Sequence, residues 1–205
     1  QGLAGPEEDT RLAERAAIGK AVADVAVSVL AAAGCDIRHQ AVFKHTMAWI
    51  DLPARIVSEA ERDMAQNLVD SNKPKLSAPD ADPAGYDYSH SYVLVHRFQN
   101  VIDRYERQSA QPVMPVEVQV LRIGDMVMAT NRFELFLDYG LRIKARSPAV
   151  QTFVVQLAGA GSYLPTERAL NHKSYGATIE NSMVTPQGGQ KLVDETLTLI
   201  NSLFD

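Results

Sequence analysis

Apolar and polar positions alternate along this chain with two periods, and the changes between them predict its elements. Leu12, Ala16, Gly19, Ala23, Ala26 and Leu30 recur at helical spacing behind Pro6-Glu7-Glu8-Asp9. Proline is tolerated in a first helical turn and acids there favour the helix dipole. A helix from Pro6 to about Ala33 follows, stopped at Gly34, with a small-residue face suited to close packing on a sheet. Residues 1–5 read as loop. From Asp36 to Ile50 the period becomes two, with Ile37, His39, Ala41 and Phe43 set against Arg38, Gln40, Val42 and Lys44. That predicts one strand, ended by Leu52-Pro53. Ser58 is suited to cap a second helix running to about Val69, and the proline-broken segment 71–85 reads as a surface loop. A longer helix over 86–108 carries an apolar stripe of Leu94, Phe98, Val101, Ile102 and Tyr105, with Arg97, Asp103, Arg104, Glu106 and Arg107 on its wet face. Val116, Val118 and Val120 alternate with Glu117 and Gln119, Arg122-Ile123-Gly124-Asp125 makes a turn, and Met126 to Thr130 returns as the second arm of a hairpin. A helix start carrying Glu134, a strand from Thr152 to Leu157 and the small-residue turn Ala158-Gly159-Ala160-Gly161-Ser162 come next, delivering Tyr163 into a Leu-Pro-Thr loop. A turn at Thr185-Pro186-Gln187-Gly188-Gly189 leads into a C-terminal amphipathic helix built on Leu192, Val193, Leu197, Leu199, Ile200 and Leu203. The pattern is α/β: a mixed β-sheet with helices packed on its faces, residues 1–205 forming a single domain or part of a larger one.

Composition narrows the function classes. With 46% hydrophobic residues in 205, the chain can bury a real core, and a net charge of −5 without any basic run argues against nucleic acid as a partner. No 18 consecutive residues are apolar, so no membrane span is expected. The single cysteine, Cys35, excludes an intramolecular disulfide and a cysteine-based zinc site; between a helix end and a strand start it reads as a buried structural thiol. No signal peptide is visible, and a first residue of Gln rather than Met suggests a processed, trimmed or internal start. His39 and His45 share a strand face but lie about 20 Å apart at roughly 3.3 Å per residue. His90 and His96 lie roughly 120° apart around their helix, so neither pair is a ligand pair. Gly159 and Gly161 make a poor phosphate loop, because no Lys-Ser/Thr follows them.

The segment from Gly124 to Tyr175 resembles the neutral/alkaline ceramidase family. There a hairpin leads into Pro-Gly-Glu, then a helix with a Gly and basic residues; here Asn131-Arg132-Phe133 precede Glu134, and Gly140, Arg142 and Lys144 follow. The family continues with a strand, a turn rich in Ala, Asn and Gly, and Tyr-Val-Thr-Thr-Pro-Glu, where this sequence reads Ala158-Gly159-Ala160-Gly161-Ser162-Tyr163-Leu164-Pro165-Thr166-Glu167. A second family Tyr, before a Gly, stands twelve residues on, and Tyr175-Gly176 keeps that interval. The resemblance implies that Glu134 and Tyr163 are zinc ligands and that Tyr175 is a catalytic helper holding the scissile amide or its transition state. It implies a zinc-dependent hydrolase that cleaves the N-acyl amide bond of a ceramide-like lipid, with a secreted or periplasmic location. The family's two metal-binding His and its nucleophilic Ser lie in an N-terminal half, and neither an HxH pair nor an equivalent Ser loop occurs here. This chain then corresponds to the C-terminal portion of the hydrolase domain, inactive alone and partnered by a missing N-terminal half that supplies those residues.

Each residue also has a plainer reading. Glu134 alone is a first-turn acid on a helix dipole, Tyr163 a strand-end aromatic, Tyr175 a loop tyrosine, and Arg168 with His172 a solvated face rather than a substrate entrance. A rival of another class is a non-catalytic binding or assembly module that retains the fold. Another is a different metallohydrolase that recruits His39, His90 or His172 to Glu134. Burial discriminates: open apolar surface beside Glu134 and Tyr163 favours a missing half, and surface covered by the chain itself favours the module.

Overall fold

The computed structural model describes residues 6–37 and 39–205, and of residues 6–9 the backbone alone. The loop expected at residues 1–5, the side chains of the first-turn acids and Arg38 of the expected first strand lie outside the described residues. The chain divides into two compact units, Gln1–Ala41 and Val42–Asp205.

The first unit is built on helix α1, Pro6–Gly34. Its side chains from Thr10 to Gly34 are exposed within this unit. Its apolar residues lie all round the axis rather than along one stripe, which removes the basis for choosing a packing face. By length and composition the stretch Thr10–Gly34 is long and apolar enough to cross a membrane, contrary to the expectation of no such segment. Lys20 and Asp24 interrupt the apolar run and hid it; one turn apart, they pair at 2.6 Å. Cys35, expected to be buried, is exposed, its thiol donating to the Ala31 carbonyl at 3.4 Å.

The second unit is α/β. Strands β1 (Phe43–Pro53), β2 (Val113–Ile123), β3 (Met126–Thr130) and β5 (Gln151–Val155) form a mixed sheet in the order β1-β2-β3-β5, with only the β3–β5 pair parallel. β1 begins seven residues later than the alternation from Asp36 implies. Its register runs from Phe43 opposite Ile123 to Pro53 opposite Val113, and β2 ends in the Gly124 turn, so β2 offers no partner beyond the one for Phe43. Gly124 takes the left-handed backbone (φ 59°) that closes the hairpin, as its position predicts.

Period two sorts this sheet into faces. Ile50 and Leu52 of β1, Val116, Val118 and Val120 of β2, and Val127 and Ala129 of β3 point to one side and are buried. There they meet α4 (Leu137–Arg146) and α6 (Pro186–Ser202), whose Tyr139, Ile143, Leu192, Val193, Leu197 and Ile200 complete the main core. The opposite face carries Phe43, Met47, Trp49, Met126, Met128 and Phe153, all exposed. The Thr185–Gly189 segment, expected as a turn, is instead the capped first turn of α6: Thr185 accepts from the Gly188 amide and Pro186 occupies the first position. A second cluster joins α2 (Glu59–Asn72) to α3 (Tyr86–Arg107) through Val57, Ala65, Val69, Phe98, Val101, Ile102 and Ile179. Ser58 and Glu61 close the capping box that starts α2.

Tyr139 links the main core to the site loops. It is 1% exposed, its hydroxyl donates to the Pro165 carbonyl at 2.9 Å, and burial pushes its phenol up to about 12. Tyr139→Phe is expected to lower stability at pH 7 by about 1–2 kcal/mol, because the buried carbonyl loses its donor. A phenol raised in the folded state contributes stability that is complete below its unfolded value near 10 and is lost as pH rises towards 12. The gap between wild type and variant should therefore narrow between pH 10 and 12, as read by chemical denaturation at pH 7 and pH 11.

Candidate functional site

The site is assembled by a second, two-stranded sheet. Asn131 and Phe133 are buried, and the Asn131 side chain accepts from the Phe133 amide at 2.9 Å. The Leu157 amide donates to the Phe133 carbonyl at 3.2 Å and the Ala158 amide to the Asn131 carbonyl at 2.9 Å, so these residues knit the strand entrance to the end of β5. The chain then enters β4 (Glu134–Leu135), which pairs in parallel with β6 (Tyr163–Leu164). The register places Glu134 beside Tyr163 and Leu135 beside Leu164. Glu134 therefore does not lie in a helical first turn as expected. Strand pairing holds its backbone extended, its amide donates to the Ser162 carbonyl at 3.1 Å, and α4 begins only at Leu137. The reading of Glu134 as a dipole-favouring helix acid loses its basis.

Side chains at paired positions lie on one face, so the Tyr163 phenol stands beside the Glu134 carboxylate. The neighbouring Glu134 carboxylate is the main reason the Tyr163 phenol is held above its ordinary range, with desolvation adding in the same direction. Tyr175 stands in a 3-10 turn over Tyr175–Ala177 with its ring edge-on to Tyr163, centroids 5.9 Å apart at 78°. The Tyr163 amide donates to the Asn181 carbonyl and the Asn181 amide side chain to the Tyr175 carbonyl, both at 2.9 Å, closing the turn around the pair. Glu134, Tyr163 and Tyr175 thus form one cluster.

Arg97 joins it. From α3 its guanidinium donates to the Tyr175 hydroxyl at 3.2 Å and faces Tyr163 closely enough to draw the phenol downward, against Glu134. Sequence reading left Arg97 on the wet face of α3, and no local signal distinguishes it from the arginines beside it. Two further arginines hold the turn. Arg55 donates to the Ala177 carbonyl at 2.6 Å and to the Ser182 hydroxyl, and pairs with Glu61 at 3.4 Å; Arg104 donates to the Ile179 carbonyl at 2.7 Å. Burial pulls both guanidiniums below their usual values. A cavity of about 200 Å³ opens beside them, but Arg55, Arg104 and Gln108 in its wall are already engaged with backbone groups.

Close packing fixes the rings. A Cβ on Gly176 would stand 2.8 Å from the Tyr163 ring and 3.0 Å from that of Phe136. Gly176→Ala is expected to displace Tyr163 and cost about 1–3 kcal/mol, with a changed near-ultraviolet circular dichroism spectrum beside a lowered melting temperature.

The outer side of the cluster is open. Glu134 is exposed, Tyr175 is 61% exposed, and Leu137 and Leu157 nearby are exposed apolar side chains. Among the described residues no group of three or more His, Cys, Asp and Glu is placed to hold a metal. The recruitment of His39, His90 or His172 to Glu134 finds no such group; His90 stacks on Tyr86 instead, centroids 5.8 Å apart. Arg168 pairs with Asp138 at 3.4 Å, and His172 caps the end of α5 (Glu167–Asn171). A carboxylate and a phenol side by side and open outward suit zinc as two of its ligands, and a closed or catalytic site needs at least one more from elsewhere.

No protein-family model matches the sequence, and no curated protein matches it. The fold is similar in part to two solved structures. One, a ceramidase complexed with C2, is 16% identical, with a TM-score of 0.39 over 45% of this chain and 15% of that one. The other, the neutral ceramidase from Pseudomonas aeruginosa, is 12% identical, with a TM-score of 0.47 over 79% of this chain and 28% of that one. The chain thus matches less than a third of the length of either structure, and the likeness is one of fold.

Proposed function

We propose that this chain is the C-terminal portion of a zinc-dependent, ceramidase-like hydrolase that cleaves the N-acyl amide bond of a ceramide-like lipid. One observation carries the reading: Glu134, Tyr163 and Tyr175, singled out by motif intervals, meet in one open cluster although 41 positions separate the first from the last. Glu134 and Tyr163 would hold the metal, and Tyr175 would donate a hydrogen bond to the oxygen that gains charge as the amide is attacked. Zinc supplies Lewis acidity towards the amide carbonyl and acidifies a bound water or hydroxyl. The His ligands and the Ser nucleophile would come from an N-terminal half. The exposed sheet face with Phe43, Met47 and Trp49, and the open surface beside Glu134, are what such a partner would cover. By itself the chain is expected to be inactive.

The absence of a three-donor group among the described residues favours a second reading, a non-catalytic binding or assembly module. The test is metal analysis and N-acyl amide hydrolysis by the protein that the complete reading frame encodes. Zinc near one equivalent with amidase activity supports the hydrolase. No zinc and no activity, from a frame lacking upstream His and Ser residues, leaves the module.

A further inference from the structure

We propose that Arg97 is a positioning residue, which fixes the Tyr175 hydroxyl as a hydrogen-bond donor towards the open side of the cluster. A guanidinium has donors and no acceptor, so the 3.2 Å contact from Arg97 to the Tyr175 oxygen uses that oxygen as acceptor. The phenolic proton is then turned away from Arg97. Among the described residues the Tyr175 hydroxyl makes no hydrogen bond other than the one from Arg97, and its ring meets Tyr163 edge-on. The remaining direction is outward, where 61% of Tyr175 is exposed. A donor held in its reacting orientation needs no reorganisation when negative charge develops beside it. Arg97 also draws the Tyr163 phenol downward, against the upward pull of Glu134.

The placement is specific to tertiary structure. Arg97 comes from α3, 78 positions from Tyr175, and the turn that bears Tyr175 is tied to that same helix through Arg104 and the Ile179 carbonyl. Arg97 is exposed, so its replacement leaves the buried stripe of Phe98, Val101 and Ile102 intact.

This inference rests on the hydrolase reading for its consequence but not for its geometry, and the experiment separates the two. In protein labelled with 13Cζ-tyrosine, the Tyr175 resonance is identified by its absence from Tyr175→Phe. It should move in Arg97→Gln and return towards its original position in Arg97→Lys. In the full-length enzyme Arg97→Gln should lower kcat for N-acyl amide hydrolysis about tenfold with KM nearly unchanged, and Arg97→Lys should recover part of that loss. In the Tyr175→Phe background the same substitution should change kcat less than about twofold, since Arg97 acts through the hydroxyl that is gone. A Tyr175 resonance that stays in place overturns the proposal, as does an equal loss in both backgrounds. A protein without amidase activity in which the resonance still moves would defeat the hydrolase reading while supporting the Arg97–Tyr175 pair.

Discussion

On the proposed hydrolase reading, replacing Glu134 with alanine in the protein that the complete reading frame encodes is expected to lower zinc content and N-acyl amide hydrolysis together, the latter by more than about a hundredfold. Substituting a mere outer-shell partner of a metal ligand costs up to about a hundredfold in affinity or activity, so loss of a ligand should exceed that. The expectation follows from where the carboxylate stands. Glu134 is on a strand, beside Tyr163 and exposed, and among the described residues it forms no ion pair and lies in no helical first turn. Its exposure also means that the fold does not depend on it, so Glu134→Ala should keep the wild-type melting temperature when no metal is bound. Glu134→Gln keeps the shape of the side chain but replaces the anionic carboxylate, a good zinc ligand, with a weakly binding neutral amide. If both variants keep full zinc and full activity, Glu134 is not a ligand. If the wild-type protein binds no zinc at all, the hydrolase reading falls with it.

Gly161→Ala should be the most damaging single substitution in the site, destabilising the unit by about 3 kcal/mol or more. Overpacking a side chain that can shift costs about 1–3 kcal/mol, but here the obstacle is backbone. A Cβ at position 161 would overlap the Arg132 carbonyl and stand 3.2 Å from the Phe133 Cα. Neither can yield, because Asn131 and Phe133 are buried and hydrogen-bonded to the end of β5. The Ser162 carbonyl would be forced off the Glu134 amide, and the pairing of β4 with β6 would open. Thermal unfolding and urea titration measure the loss. Gly159→Ala is the useful contrast, since a Cβ there meets only the Arg132 Cβ at 3.7 Å and its cost comes from a backbone φ of 128° rather than a clash. Equal effects at the two positions would mean that the close approach of residues 132 and 161 does not hold the site.

Several elements were legible in the chain itself because their determinants are local. Ser58 with Glu61 starts α2, the stripe of Phe98, Val101 and Ile102 is the buried side of α3, and Gly124 closes the hairpin of β2 and β3. Each depends on residues within about one or two turns of each other, where capping, periodicity and left-handed backbone act. The α/β class with a mixed sheet follows from the same signals, whereas Glu134, Tyr163 and Tyr175 are singled out only by the resemblance to a family motif.

What lay beyond local reading was decided by contacts between distant segments. The alternation from Asp36 is real in the sequence, yet a strand forms only from Phe43, where β2 offers partners. Glu134 sits in what reads as a helix start, yet pairing with residues 29 positions later draws it into β4 and makes it a neighbour of Tyr163. Two-residue strands carry almost no intrinsic preference, so their pairing is set by what surrounds them. Cys35 and the small residues of α1 read as buried and are exposed, because apolar composition states what could be covered but not what covers it. Sequence by itself determined the elements whose signals are local; tertiary structure decided that Glu134, Tyr163 and Tyr175 come together, that Arg97 stands with them, and that one sheet face remains open, since each of those depends on long-range pairing that no local pattern encodes.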